Sequence, residues 1–189
     1  MARRADEELM RMAKRPRSTM SGPYGHPFHP ILVTIPIGAW VSSFVFDVAS
    51  RAARHAYAAP WARGAYWLIA IGVLGALVAG AFGLVDLLGI PRGTAASRTG
   101  FLHLGLNLCV VALFVASFLV RLTGDSYDQA TSIGLIVLSA IALAALVVSG
   151  WLGGKMAYGY GVRVADEQDQ AAGYRPTAPR TGRPFRRAA

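Results

Sequence analysis

The 189-residue chain is poor in charge. Asp, Glu, Lys and Arg make up 15% of it, against 54% hydrophobic residues and a mean hydropathy of +0.41. An ordinary soluble domain carries roughly 25% charged residues, so this composition excludes one. The chain has one cysteine, Cys109, which excludes an intrachain disulfide and any iron–sulfur or zinc site built from several cysteines. Within the third apolar run it reads as a small buried apolar residue. The first twenty residues, MARRADEELMRMAKRPRSTM, lack an apolar stretch of signal-peptide length, so the first spanning helix is expected to stay uncleaved. Gly-x-Ser-x-Gly, a phosphate loop, a paired-carboxylate motif and HExxH are all missing, and no independent catalytic activity is expected.

What the chain has is four apolar windows, at 30–50, 65–90, 99–120 and 130–154. Each can cross a hydrocarbon core that takes roughly 20 helical residues. The connections are short and leave no room for a second domain. The expected fold is all-α: an integral membrane four-helix bundle over residues 25–162, with helices at about 30–50, 65–90, 99–122 and 130–157. A basic tail, 1–24, precedes it. A second basic tail, 163–189, is rich in Gly, Pro and Arg and is expected to be disordered.

Lys and Arg are distributed unevenly about these windows. Six precede the first helix, Arg92 and Arg98 lie in the second connection, and seven run from Lys155 onward, whereas Arg51, Arg54, Arg63 and Arg121 fall on the other side. This asymmetry predicts that both termini are cytoplasmic in a multi-pass membrane protein. The net charge of +9 sits mainly in the tails beside the bilayer. Attraction to anionic lipid headgroups, roughly 1 kcal/mol per basic residue, accounts for it without nucleic acid.

Pro27 and Pro30 are expected to push His26 and His29 out of helical geometry and to make GHPFHP an extended lead-in. Pro36 should bend the first helix, on which Pro36, Trp40, Ser43 and Asp47 share a face. Gly72, Gly75, Ala76, Ala79, Gly80 and Gly83 on helix two, and Ser149, Gly150, Gly153 and Gly154 on helix four, have the small-residue spacing that lets helices approach closely. On helix three His103, Asn107, Phe114, Ser117 and Arg121 advance along one face. Asp47 and Arg121 then lie at one depth and are expected to pair. At the other end alternating helix direction gathers His26, His29, Asp86, His103 and Lys155.

Four chemistries fit that second group. The histidines can simply cap helices and bond carbonyls, with Asp86 and Lys155 in a salt bridge. His26, His29, His103 and Asp86 have the donor types of a transition-metal site. A b-type haem could take His103 as one axial ligand and His26 or His29 as the other, with Arg92 or Arg98 at the propionates. Asp47, Asn107, His103 and Asp86 could line a proton or ion pathway, which four helices would keep narrow unless the protein forms a homo-oligomer.

GHPFHPILVTIPIGAWVSSFVFD, RTGFLHLGLNLCVVALFVASFLVR and SGWLGGKMAYGYGV resemble the four-helix bacterial membrane proteins of domain of unknown function 2231, over about Gly25 to Val162. The resemblance implies a cytoplasmic-membrane location and a four-span fold. Relatives joined to Rieske or cytochrome-type domains imply an electron-transfer setting and a membrane redox partner. Three positions depart from the family pattern: Thr34 and Tyr160 stand where histidine is common, and Lys155 where an acid is common. The expected role is thus a small redox-associated or cofactor-binding module, holding haem b or a transition metal. The alternatives are a structural or interaction membrane protein without cofactor and, third, a proton or ion pathway.

Overall fold

A computed structural model describes residues 2–53, 57–124 and 129–175. Its helices are α1 (Ala2–Lys14), α2 (Phe28–Leu32), α3 (Thr34–Ala52), α4 (Ala58–Leu88), α5 (Ala95–Thr123), α6 (Ile133–Gly154) and α7 (Glu167–Ala172), with a 3-10 turn at Thr19–Ser21. Four helical stretches are long and apolar enough to cross a membrane: Phe28–Ala52, Ala58–Leu88, Ala95–Thr123 and Ile133–Gly159. The second begins at Ala58, well ahead of the position expected from hydropathy, because Tyr57 and Pro60 start a helix that amphipathic residues continue into the apolar run.

Proline shapes the first span. Pro27, in extended geometry, caps α2, and Pro30 falls in its first turn, where a backbone N–H has no helical acceptor and none is lost. His29 therefore lies inside the helix, contrary to the extended lead-in expected for it, while His26 lies before it. Pro36 cannot donate to the carbonyl of Leu32, and the helix divides at Val33. The ladder continues on either side, from Val33 N to His29 O at 3.1 Å and from Ile37 N to Val33 O at 3.2 Å.

The spans pack through glycine. α3 lies along α4 and α5 along α6, with α4 meeting α5 and α3 meeting α6. A Cβ at Gly72 would collide with the Trp40 indole, one at Gly75 would come within 2.8 Å of Ile35, and one at Gly83 within 2.8 Å of the His29 ring. Gly153 receives the His103 ring in the same way, whereas Gly80, Gly150 and Gly154 face open space. Small-residue spacing thus serves packing on one side of α4 and at Gly153 of α6, while Gly80, Gly150 and Gly154 make no such contact in the single chain. Trp40 stacks on Phe114 at 4.4 Å between centroids and 8° between planes, and with Ile69, Val110 and Ala142 forms the buried centre.

Leu, Val and Ile line the outer faces. Cys109 is exposed there, which corrects the expectation of a buried thiol. In a membrane bundle the surroundings are as apolar as the core, so an apolar neighbourhood in sequence carries no information on burial. The terminal segments also differ from plain tails. α1 and α7 are helical, a π-helical turn at Lys155–Gly159 extends α6, and Arg163 and Lys14 are buried. The expected tail boundary at 163 therefore cuts through packed chain, because Arg163 finds its partners on three other segments. Residues 176–189, the rest of that tail, lie outside the described residues.

Candidate functional site

Two polar clusters occupy opposite ends of the bundle. At the first, Asp47 near the end of α3 meets Arg121 near the end of α5. Arg121 Nη1 donates to Asp47 Oδ1 at 3.0 Å and Nη2 to Oδ2 at 2.7 Å, a two-pronged geometry that suits guanidinium and carboxylate. Both side chains are fully buried. Thr131 Oγ1, just ahead of α6, donates to Asp47 Oδ1 at 2.9 Å, and Thr131 N donates to Ser50 Oγ at 3.0 Å. Ser50 Oγ donates in turn to Asp47 O. Three spans are thereby joined around one ion pair, and its remaining polar atoms are met by hydroxyls.

At the other end the imidazoles act across helix pairs. His29 Nδ1 of α2 lies 2.8 Å from Ala79 O of α4, and His103 Nδ1 of α5 lies 2.8 Å from Ser149 O of α6. A carbonyl can only accept, so each ring donates from Nδ1, and the Nε2 of His103 faces a donor. Asn107 Nδ2 stands 3.1 Å from His103 Nε2 and also donates to Ser149 Oγ at 2.8 Å. The two rings are 6.4 Å apart, edge to face at 86°.

Arg163 closes this end. Its Nη2 donates to Ser21 O at 2.7 Å and Gly22 O at 3.1 Å, and its backbone N–H donates to Ala13 O at 3.1 Å. Arg163 Nε lies 3.0 Å from Asp86 Oδ1 as an ion pair, without the alignment of a hydrogen bond. Lys14 Nζ pairs with Asp166 at 3.5 Å, and Tyr24 Oη accepts from Asp166 N at 2.6 Å. Arg163 has φ of +59°, a left-handed conformation that costs an ordinary residue roughly 1–2 kcal/mol. The several bonds its side chain makes offset that cost. The arm before α2 and the strap after the π-helical turn are thus fastened to each other and to the end of α4.

The expected metal set is not assembled. Among the described residues no group of three or more His, Cys, Asp and Glu side chains comes together to hold an ion. His26 is exposed ahead of α2, Asp86 faces Arg163, and the rings of His29 and His103 lie edge to face. Haem fits poorly on the same geometry. The His29 ring fills the space over Gly83, that of His103 the space over Gly153, and the Nε2 of His103 is met by Asn107. Arg92 and Arg98 are exposed. Of the family departures, Thr34 Oγ1 donates to Ile31 O across the break at Val33, and Lys155 Nζ sits 5.6 Å over the Tyr160 ring. Hydrogen bonding to Thr99, then to Lys155, holds the Tyr160 phenol below its ordinary value.

Arg163 and Thr131 went unrecognised in the sequence, and Ser149 was legible there only as a small packing residue. Serine and threonine are frequent in membrane helices and arginine in flanks, so only the partners they meet distinguish them.

Four bilayer-length helices, with polar groups buried at both ends of the bundle and an apolar exterior, define a multi-pass integral membrane protein. The chain belongs to the predicted membrane protein family DUF2231, whose family model matches residues 25–166. That span takes in all four membrane-length helices, the Asp47–Arg121 pair, His29, His103 and the strap through Asp166, but not the arm residues before 25 that Arg163 and Asp166 meet. No curated protein and no solved structure matches the chain.

Proposed function

We propose that the protein is a non-catalytic structural or interaction module of the bacterial inner membrane, with both termini in the cytoplasm and the basic segments against anionic lipid headgroups. The charge asymmetry about the spans supports that orientation. The observation that carries the functional reading is how the imidazoles are used. His29 and His103 each bond the backbone carbonyl of a neighbouring helix, and Asn107 meets the remaining nitrogen of His103. Histidines held this way tie helices together, and the Asp47–Arg121–Thr131 group does the same at the other end. The frame they make presents its termini jointly to one side of the membrane.

A second reading is the redox-associated module, with haem b or a transition metal. It is favoured by two imidazoles 6.4 Å apart, each with Nδ1 anchored on a carbonyl, which is how metal-binding histidines are usually oriented. It requires Asn107 to release Nε2. One experiment decides between the readings: the protein is purified in mild detergent from cells replete in haem and metals, and its visible spectrum and metal content are recorded. The structural reading expects no Soret band and no stoichiometric zinc, iron or copper. A Soret band that disappears in His103→Ala, or one metal per chain lost in that variant, would overturn it.

A further inference from the structure

Among the described elements α1 and α7 do not pack along any of the four spans. α1 (Ala2–Lys14) touches the remainder of the molecule at its last residues, where Ala13 O accepts from Arg163 N and Lys14 pairs with Asp166. From Arg4 to Met12 every residue of α1 is exposed. Yet the helix is sharply two-sided. Ala5, Leu9 and Met12 follow one another at steps of four and three along one stripe, Ala13 lies four after Leu9, and Met10 is on the flank. Arg4, Glu7, Glu8, Arg11 and Lys14 take the opposite side. Leu9 and Met12 remain 39% and 42% exposed. α1 also lies outside the residues matched by the family model.

Where α1 is fastened says what covers this stripe. Arg163 binds the end of α1 and the end of α4 together, so Ala13 and Lys14 are held at the level where the spans leave the bilayer. Phe28 and Ile31, at the start of the first span, and Leu88, at the end of the second, are exposed at that same end. They form the edge of the lipid-facing belt. A helix with a narrow apolar stripe, a heavily charged opposite side and low overall hydrophobicity is the kind that lies in a membrane interface. Its charge agrees: residues 2–17 hold Arg3, Arg4, Arg11, Lys14, Arg15 and Arg17 against Asp6, Glu7 and Glu8, and a net positive segment is drawn to anionic headgroups.

We propose that α1 is an interfacial helix, lying on the leaflet at the Arg163 end with Leu9 and Met12 among the acyl chains and its arginines among the headgroups. The Arg163 and Lys14 contacts fix its end to the bundle. This deepens the headgroup part of the function proposed above.

The test uses the full chain with Cys109→Ala and single cysteines in place of Leu9, Met12, Glu7 or Arg11, all exposed positions that leave the packed core untouched. Each is labelled with an environment-sensitive fluorophore and reconstituted in vesicles of phosphatidylcholine with phosphatidylglycerol. Nitroxide carried on the acyl chains should quench positions 9 and 12 several-fold more than 7 and 11, and aqueous iodide should do the reverse. Equal quenching by iodide at all four positions overturns the proposal. So does concentration-dependent disulfide cross-linking of Leu9→Cys between copies, which would assign the stripe to a second chain. Vesicles of phosphatidylcholine alone separate the two readings: a pattern that survives there keeps α1 in the interface and removes the need for anionic headgroups.

Discussion

Replacing Asp47 by Asn leaves the Arg121 guanidinium buried at zero exposure, facing a neutral amide and Ser117 Oγ at 3.4 Å. Removing one member of a buried pair typically costs about 3–5 kcal/mol, since the surviving charge has neither water nor counter-charge. Arg121→Gln strands the carboxylate instead, but Thr131 Oγ1 still donates to it at 2.9 Å, so its loss should fall at the lower end of that range. The double variant buries no charge. Its loss should be smaller than the sum of the singles by about 2 kcal/mol, within the ~0.5–3 kcal/mol found for directly coupled residues. Neutral hydrogen bonds between membrane helices couple by only about 0.6 kcal/mol on average, so the size of the coupling separates an ion pair from ordinary polar contact. The measurement is unfolding of purified protein in mixed micelles by titration with dodecyl sulfate, followed by circular dichroism. Losses that add to within about 0.5 kcal/mol would refute the reasoning, because they would mean that each group is satisfied independently of the other.

Three further outcomes follow from the same contacts. Thr131→Val removes a buried donor to a carboxylate and should cost about 1.5 kcal/mol in that titration, whereas the exposed Thr123→Val should cost little. Gly72→Ala places a methyl group against the Trp40 indole and should destabilise by about 1–3 kcal/mol; Gly80→Ala, which meets nothing within 4 Å, should stay within about 0.5 kcal/mol of the parent. Arg163→Ala should abolish protection of the amides around 13–22 from hydrogen exchange. Arg163→Gly should lose the same bonds yet be about 1 kcal/mol more stable than Arg163→Ala, since glycine accepts φ of +59° without strain.

Legibility varied with the kind of interaction. The spans were readable because the bilayer demands length and apolarity from a single segment, and a helix satisfies its backbone within itself. Asp47 and Arg121 were readable as a pair because each is the rare charge of its window and helix direction sets both at one depth; in the structure Arg121 Nη2 is 2.7 Å from Asp47 Oδ2. His29 and His103 were visible as candidates, but not their partners. Those are the backbone carbonyls of Ala79 and Ser149, which every residue possesses and no side-chain motif signals. The metal set looked sound by residue type and failed on position: two residues before α2 are enough to put His26 outside the bundle, and Asp86 was taken by Arg163. Which glycines matter was equally hidden, since Gly80 and Gly83 look alike along the chain and only Gly83 receives a ring.

By itself the sequence determined that this is a four-span membrane protein. That follows from the solvent, because a hydrocarbon slab selects segments by local composition and needs no knowledge of their neighbours. The tertiary structure alone decided that the histidines bond carbonyls, that Arg163 fastens the arm and strap to α4, and that Cys109 looks outward. Inside a bundle whose exterior is as apolar as its interior, composition no longer tells the two apart. Rotation of each helix about its axis is set by where another helix can approach, as Trp40 does over Gly72 and His29 over Gly83.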